Sequence, residues 1–344
     1  MNVRMMKSLW VVCLLLLVAL LFYADDVRAQ ASALRGKVVV DGSSTVYPVT
    51  EAAAAAFRKD FPNVDVTVAI SGTGGGFKRF VKGETDLSDA SRPITPAEFQ
   101  AAKENGVQFI ELPVALDGLS VVVNPQNDWV DQLTVEHLQA IYLEDGKARK
   151  WSDLNPGWPD QTIKVYSPGT DSGTFDYFKE VVVPKDKSLR PDMSTSEDDN
   201  VLVTGVAGDR YSIGYFGASY YYENESKLKA VPIVNPATGK AVLPTPEHVI
   251  NGDYAPLSRP LFIYVNYDSL RRPEVRRFVE FYLEHDAKFA TQVDYVAVPD
   301  EVGTHAEAFL KQRLTGSTYV TKDMEKSEGG LRSVYQQANL IDTK

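Results

Sequence analysis

Cysteine is nearly absent from this chain of 344 residues. The single one, Cys13, stands in an apolar run behind Val11 and Val12, without the small residue that a lipid-modified cysteine has ahead of it. Beyond that run the chain has no cysteine, which excludes thiol catalysis, Cys-based metal sites and disulfides. A secreted protein without disulfides must rely on a sizeable core, and this length permits one. Histidine is almost as scarce. His137, His248, His285 and His305 are far apart in sequence and show neither H-x-x-x-H nor H-E-x-x-H spacing, so they are read as surface or helix-end residues and no metal is expected. A basic excess is also missing. With 36 Lys plus Arg against 46 Asp plus Glu, the net charge of −10 argues against a nucleic-acid binder, while leaving room for one small anion held locally. Only one long hydrophobic run exists, which rules out a multi-pass membrane protein. Hydrophobic and charged contents of 44% and 24% rule out a disordered or collagen-like chain.

That single run, Leu9 to Ala24, is 16 residues long, follows Arg4 and Lys7, and precedes the small residues Ala29 and Ala31. The order is that of a secretory signal peptide, residues 1–29, cleaved after Ala29 or Ala31. The run is short for a membrane span, which needs about 20 residues. An uncleaved anchor is the alternative.

In the remaining chain, strand-like and helix-like segments alternate, which is the pattern of an α/β fold. Lys37 to Val40 reads as a strand, and Val49 to Phe61, with the alanine run Ala52 to Ala56, as a helix stopped by Pro62. Val64 to Ile70 and Phe77 to Lys82 repeat the arrangement, and Ile163 to Tyr166 with Phe175 to Val182 repeat it again. Between strand and helix stand Asp41-Gly-Ser-Ser-Thr45, Ser71-Gly-Thr-Gly-Gly-Gly76 and Ser167-Pro-Gly-Thr-Asp-Ser-Gly-Thr174. Helix starts have unpaired N–H groups and a positive dipole end, glycine lets the backbone approach closely, and Ser or Thr adds neutral donors. Such loops suit an anion. Ordinary βα turns with hydroxyl caps are the plain alternative for any one of them. Other phosphate motifs fail: Gly76-Phe77-Lys78 breaks a P-loop, and Phe77 stands where a dinucleotide fingerprint needs glycine, so no cofactor is implied. Ser172, between Asp171 and Gly173, is no nucleophile elbow.

DGSSTVYP (Asp41 to Pro48), SGTGGGFKRF (Ser71 to Phe80), GETDLSDASRPI (Gly83 to Ile94) and GTDSGTFDYF (Gly169 to Phe178) together resemble the periplasmic phosphate-binding proteins of ABC importers, in the PstS and SphX branch. The resemblance implies a type II periplasmic-binding-protein fold, two α/β lobes joined by crossover hinge strands with the ligand in the cleft between them. The crossings would fall near Leu112 to Leu119 and Leu257 to Val265. Lobe 1 would then comprise residues 36–116 and 258–325, lobe 2 residues 117–257, and a polar, loosely held tail residues 326–344. The implied phosphate ligands are Ser44 and Thr45 from the first loop, Thr73 from the second, and Ser172, Gly173 and Thr174 from the third. Two positions depart from the family. Ser91 stands where an Asp is expected, and Pro168 where an Arg is. Arg92, beside Ser91, could supply the missing guanidinium, whose planar fork suits a bidentate phosphate contact; an ion pair with Asp86 or Asp89 is the alternative. A carboxylate that accepts the proton of hydrogen phosphate would discriminate against sulfate, and Asp171, Asp89 and Asp41 are the candidates.

The resemblance thus points to a monomeric, non-enzymatic receptor in the periplasm that captures inorganic phosphate and delivers it to the permease of an ABC transporter in the inner membrane. A receptor for another tetrahedral oxyanion, or a secreted phosphohydrolase, is the alternative. Tyr211, Tyr215, Phe216, Tyr220, Tyr221 and Tyr222 are read as core packing rather than sugar stacking. Lys78, Arg79 and Lys82 form a basic face beside the second loop.

Overall fold

Three consecutive valines, Val38 to Val40, commit this segment to a strand. A computed structural model describes residues 33–343 other than 171, 197 and 328, so the signal-peptide reading and the expected role of Asp171 lie outside the described residues. Strand β1 (Gly36–Gly42) leads into helix α1 (Tyr47–Asp60), with Pro48 in the first turn, where a missing N–H costs nothing, and Pro62 beyond its end. β2 (Val64–Ile70) is followed by α2 (Thr73–Phe80), and β3 (Leu87–Ala90) by α3 (Pro96–Glu104). β1 lies between β2 and β3 and runs parallel to both.

β4 (Phe109–Val123) is fifteen residues long and buried throughout. Past it come α4 (Val135–Tyr142), β5 (Lys164–Pro168), α5 (Gly173–Val182), β6 (Ser194–Ser196), α6 (Asp199–Gly208) and β7 (Ser212–Gly217). After the short β8 (Lys229–Ala230), β9 (Ile233–Val234) and β10 (Ala241–Val242), β11 (Ser258–Asn266) returns, followed by α7 (Pro273–Glu284), α8 (Asp286–Gln292) and α9 (Asp300–Gln312). The main sheet runs β2-β1-β3-β11-β4-β7-β5-β6, with β8 also on β4, while β9 and β10 pair apart. β11 is antiparallel to β3 and β4. Along β4, Phe109–Gly118 pairs with β11 and Leu119–Val123 with β7, so one continuous strand belongs to both halves of the sheet. A bulge opposite Leu261/Phe262 leaves Val114 as the extra residue of β4, next to Pro113, which has no N–H to give a ladder.

Each half has an aromatic centre. Phe57 of α1 meets Phe278 and Phe281 of α7 edge-on, both at 5.3 Å between centroids. In the other half Phe178 stacks on Tyr215 at 3.8 Å, with Tyr142 against both. Burial of each such ring contributes about 1.5–3 kcal/mol. Of the tyrosine run, Tyr215 and Phe216 are fully buried, whereas Tyr220 and Tyr221 pack on a satellite cluster with Leu202, Val206 and Leu228.

Two expectations change. The glycine-rich second loop is already helical from Thr73, because Gly76 packs on β1 so closely that a Cβ there would lie 2.7 Å from the Gly42 Cα. The C-terminal segment is docked rather than loosely held. Leu331, Val334 and Tyr335 are buried, Tyr335 donates to the Glu111 carbonyl at 2.7 Å, and Ser317 bridges Ile341. Glu111, buried in β4, accepts from Tyr264, Ser317 and Thr318, which offsets its desolvation.

Candidate functional site

The loops that follow β1, β2 and β5 all leave the carboxyl ends of parallel strands and enter helix starts. Three helices close their starts with a threonine hydroxyl, Thr95, Thr134 and Thr245, each accepting from the backbone N–H three residues on, whereas others, such as α7, α8 and α9, have no side-chain cap. α1 and α2 are also without one. Their N-cap positions are Val46 and Gly72; at the start of α1, however, Tyr47 N donates to Ser43 O, Pro48 has no N–H and Val49 N donates to Val46 O, so it is α2 that presents an uncapped first turn and positive dipole end. Ser172 at the start of α5 accepts from Thr174 N, at 3.2 Å. Gly42, at φ 149°, brings the first loop against β3, where a Cβ would lie 2.1 Å from the Asp89 carbonyl and where Ser43 N donates to that same oxygen at 3.0 Å.

The expected ligand hydroxyls are brought together in two groups. Thr73 and Ser91 join the second loop to the end of β3, with their hydroxyls 3.0 Å apart and Ser91 N donating to Thr73 Oγ1 at 3.2 Å. Ser44 and Thr45 face α5: Ser44 Oγ donates to Asp176 Oδ2 at 3.3 Å. A hydroxyl has one proton and two lone pairs, so an oxygen that accepts from the protein keeps its proton for something else. Thr45 Oγ1 accepts from Arg259 at 3.0 Å, Ser172 Oγ from Thr174 N, and Thr73 Oγ1 from Ser91 N. Each keeps its proton and a second lone pair, and between the hydroxyls of Thr73 and Ser91 either can be the donor. Gly173 is the first residue of α5, and Thr174 N is the next helix N–H.

The charges fall differently from expectation. Arg92 pairs with Glu98, neither Asp86 nor Asp89. Its two Nη atoms each lie 2.8 Å from a Glu98 oxygen and Nη1 also donates to Pro93 O, which leaves two of its five N–H groups. It lies within electrostatic reach of Glu180 on α5. Asp86 is held by Arg272. Arg79 of the basic face turns inward to Asp41 Oδ2 at 2.5 Å, under the second loop. Asp89 is buried, and its two carboxylate oxygens have no hydrogen-bond partner among the described residues. Burial, with Asp41 nearby, pushes its carboxyl up to about 8 although the Thr50 hydroxyl pulls the other way, so at neutral pH it carries a proton.

Two residues escape the sequence reading. Asp117 on β4 and Arg259 on β11 are cross-strand neighbours at the centre of the joining strands, Nε to Oδ2 3.5 Å. Burial pushes the Asp117 carboxyl up to about 6 against the pull of Arg259. Each is the one charged residue in its expected crossing segment, and the two are opposite in sign. That was the available signal. A cavity of about 430 Å3 lies elsewhere, on the outer face between α7 and α9, among Arg276, Glu280, Leu310 and Lys311. Among the described residues no group of three or more His, Cys, Asp or Glu is placed to hold a metal ion.

Residues 27–286 match the model of a PBP superfamily domain. The chain is 46% identical over 310 residues to Protein SphX of Synechococcus elongatus, covering 87% of this chain and 91% of that one. It is 41% identical to the phosphate-binding protein PstS of Staphylococcus saprophyticus, over 82% of this chain and 87% of that one. Among solved structures, a possible phosphate binding protein from Planctomyces limnophilus is similar with a TM-score of 0.79 and 46% identity, over 82% of this chain and all of the other.

Proposed function

The chain belongs to the PBP superfamily and, within it, to the PstS and SphX family of phosphate-binding proteins, and from that membership we propose that it captures inorganic phosphate in the cleft of a type II periplasmic-binding-protein fold and hands it to an ABC transporter permease. It is a receptor and no enzyme, and it acts outside the cytoplasmic membrane. Residues 1–29 act as the export signal, cleaved to leave the protein in the periplasm as a monomer. No described helix is long and apolar enough to cross a membrane.

One observation supports the site assignment: the first loop reaches α5 through Ser44 on Asp176 and through Arg259, which bonds both Thr45 and Glu180, while the uncapped start of α2 places the Thr73 hydroxyl beside Ser91. The donors are Thr45, Thr73, Ser91, Ser172, Gly173 and Thr174, together with Ser44 once its proton leaves Asp176, and the two remaining N–H groups of Arg92 stand at the edge. Neutral donors and helix dipoles let a dianion leave water without a full counter-charge for each of its own. Asp41, Asp89 and Asp171 remain the carboxylates considered for reading the phosphate proton. Asp89 in its protonated form is suited to donate to an anion rather than to accept from it. The change of partner along β4, from β11 up to Gly118 to β7 from Leu119, supports the division into lobe 1 (36–116 and 258–325) and lobe 2 (117–257), and the docking of Leu331 and Tyr335 attaches residues 326–344 to the body.

Equilibrium dialysis of labelled phosphate, with sulfate, arsenate and molybdate as competitors, tests the reading. Retained phosphate displaced by arsenate and not by sulfate is the expected result. Equal displacement by sulfate would make the chain a general oxyanion receptor, and phosphate release from a simple ester would make it a hydrolase.

A further inference from the structure

Arg259 touches every part of the molecule that must move together when the cleft closes. Its register partner on β4 is Asp117, so both side chains leave the same face of the joining strands. Nη1 donates to Glu180 Oε2 at 2.7 Å and Nη2 to Thr45 Oγ1 at 3.0 Å. The guanidinium lies 3.6 Å from the ring centroid of Tyr177, and the Tyr177 hydroxyl is in turn fixed on Pro256 O at 2.9 Å. Tyr295 holds the other side of the same loop residue, donating to Thr45 O at 3.0 Å. The side chain of Arg259 is only 10% exposed. Thr45 belongs to the first loop, Tyr177 and Glu180 to α5, and Asp117 to the joining strand. One buried fork therefore spans all three.

We propose that Arg259 is a positioning residue of the anion site, which fixes the Thr45 hydroxyl so that its single proton faces the anion and ties that loop to α5. This deepens the phosphate reading and rests on it. An oxygen that accepts from a guanidinium is polarised and cannot turn its hydrogen back into the protein, so it becomes the better donor. The role needs arginine. A lysine ammonium can reach one of Thr45 and Glu180 but cannot lie flat on Tyr177 while donating to both. Arg259 does not itself have to touch the anion.

The test is a double-mutant cycle on phosphate affinity by calorimetry, with wild type, Thr45→Val, Arg259→Met and the double variant, and thermal unfolding of each. Because Arg259→Met leaves Asp117 buried without a partner, the cycle is repeated with Asp117→Asn in all four chains, which removes that uncompensated carboxylate from the comparison. Thr45→Val is expected to weaken phosphate about tenfold or more, Arg259→Met by a similar factor, and the double variant by less than about threefold beyond Thr45→Val alone. Arg259→Lys should recover part of the loss. A folded Arg259→Met chain with wild-type affinity overturns the proposal while leaving the phosphate reading in place. So does an equal loss in both Thr45 backgrounds, since Arg259 would then not act through Thr45. A wild-type chain that does not bind phosphate overturns the reading and the proposal with it.

Discussion

A hydroxyl offers an anion one proton, and what the rest of the protein does with its oxygen decides where that proton points. Thr73 and Ser172 each accept from a backbone N–H that belongs to the fold. Removing either hydroxyl takes a charge-assisted bond from the anion, so Thr73→Ala and Ser172→Ala should each weaken phosphate binding by about 1.5–3 kcal/mol, read by calorimetry, and Ser172→Ala should also lower stability by about 0.5–2 kcal/mol, because its hydroxyl caps α5. Unchanged affinity in both would remove these loops from the site. Asp89 gives a different signature. With its folded pKa raised to about 8 against about 4 in the unfolded chain, the folded form binds more protons between those values. Its contribution is therefore fully present below about pH 4 and is lost as pH rises toward 8, at about 1.4 kcal/mol per pH unit. Asp89→Asn should be no more stable than wild type near pH 4 and progressively more stable relative to it up to pH 8, read from denaturant midpoints. Parallel curves would mean that Asp89 is not protonated in the fold. At this scale the hydroxyls were legible because their signal is local: Ser, Thr and Gly between a strand and a helix. Arg259 and Asp117 were not singled out, because a single charge inside an apolar strand declares itself only when its cross-strand partner is known.

An element's start can be as informative as its side chains. α1 and α2 begin without the hydroxyl cap that α3 and α4 have, and α2 achieves this with a run of glycines that propensity alone would place outside a helix. Packing overrides propensity there. A Cβ on Gly76 would meet the Gly42 Cα at 2.7 Å and the Asp41 carbonyl at 2.9 Å, all backbone that cannot yield, whereas a Cβ on Gly74 meets nothing within 4 Å. Gly76→Ala should therefore destabilise the chain by about 1–3 kcal/mol as α2 is pushed off β1, while Gly74→Ala should leave stability unchanged or raise it by up to about 1 kcal/mol. Thermal unfolding of the pair checks this, and equal effects would contradict the packing account. The β/α alternation was readable from Val38 to Phe80 because β-branched runs and the alanine run are strong local signals. The helix start at Thr73 was not, since it depends on how near β1 lies.

At the scale of the whole molecule, β4 joins the two halves as one unbroken strand, and the C-terminal segment closes over it through Tyr335 and Glu111, 224 residues apart in sequence. No periodicity marks residues 329–343 as structural. Leu331, Val334 and Tyr335 are too few and irregularly placed for that, so the segment was legible only as polar. The segments where the family resemblance implies the crossings, 112–119 and 257–265, overlap β4 (109–123) and β11 (258–266). The central claim is that phosphate is held between the halves by donors from both. The most direct measurement is a crystal structure of the mature chain grown with phosphate. The account predicts one tetrahedral anion with oxygens about 2.5–3.0 Å from the hydroxyls of Thr45, Thr73 and Ser172 together and from the first N–H groups of α2 and α5. Phosphate bound to the loops of one half alone, or in the cavity between α7 and α9, would contradict it.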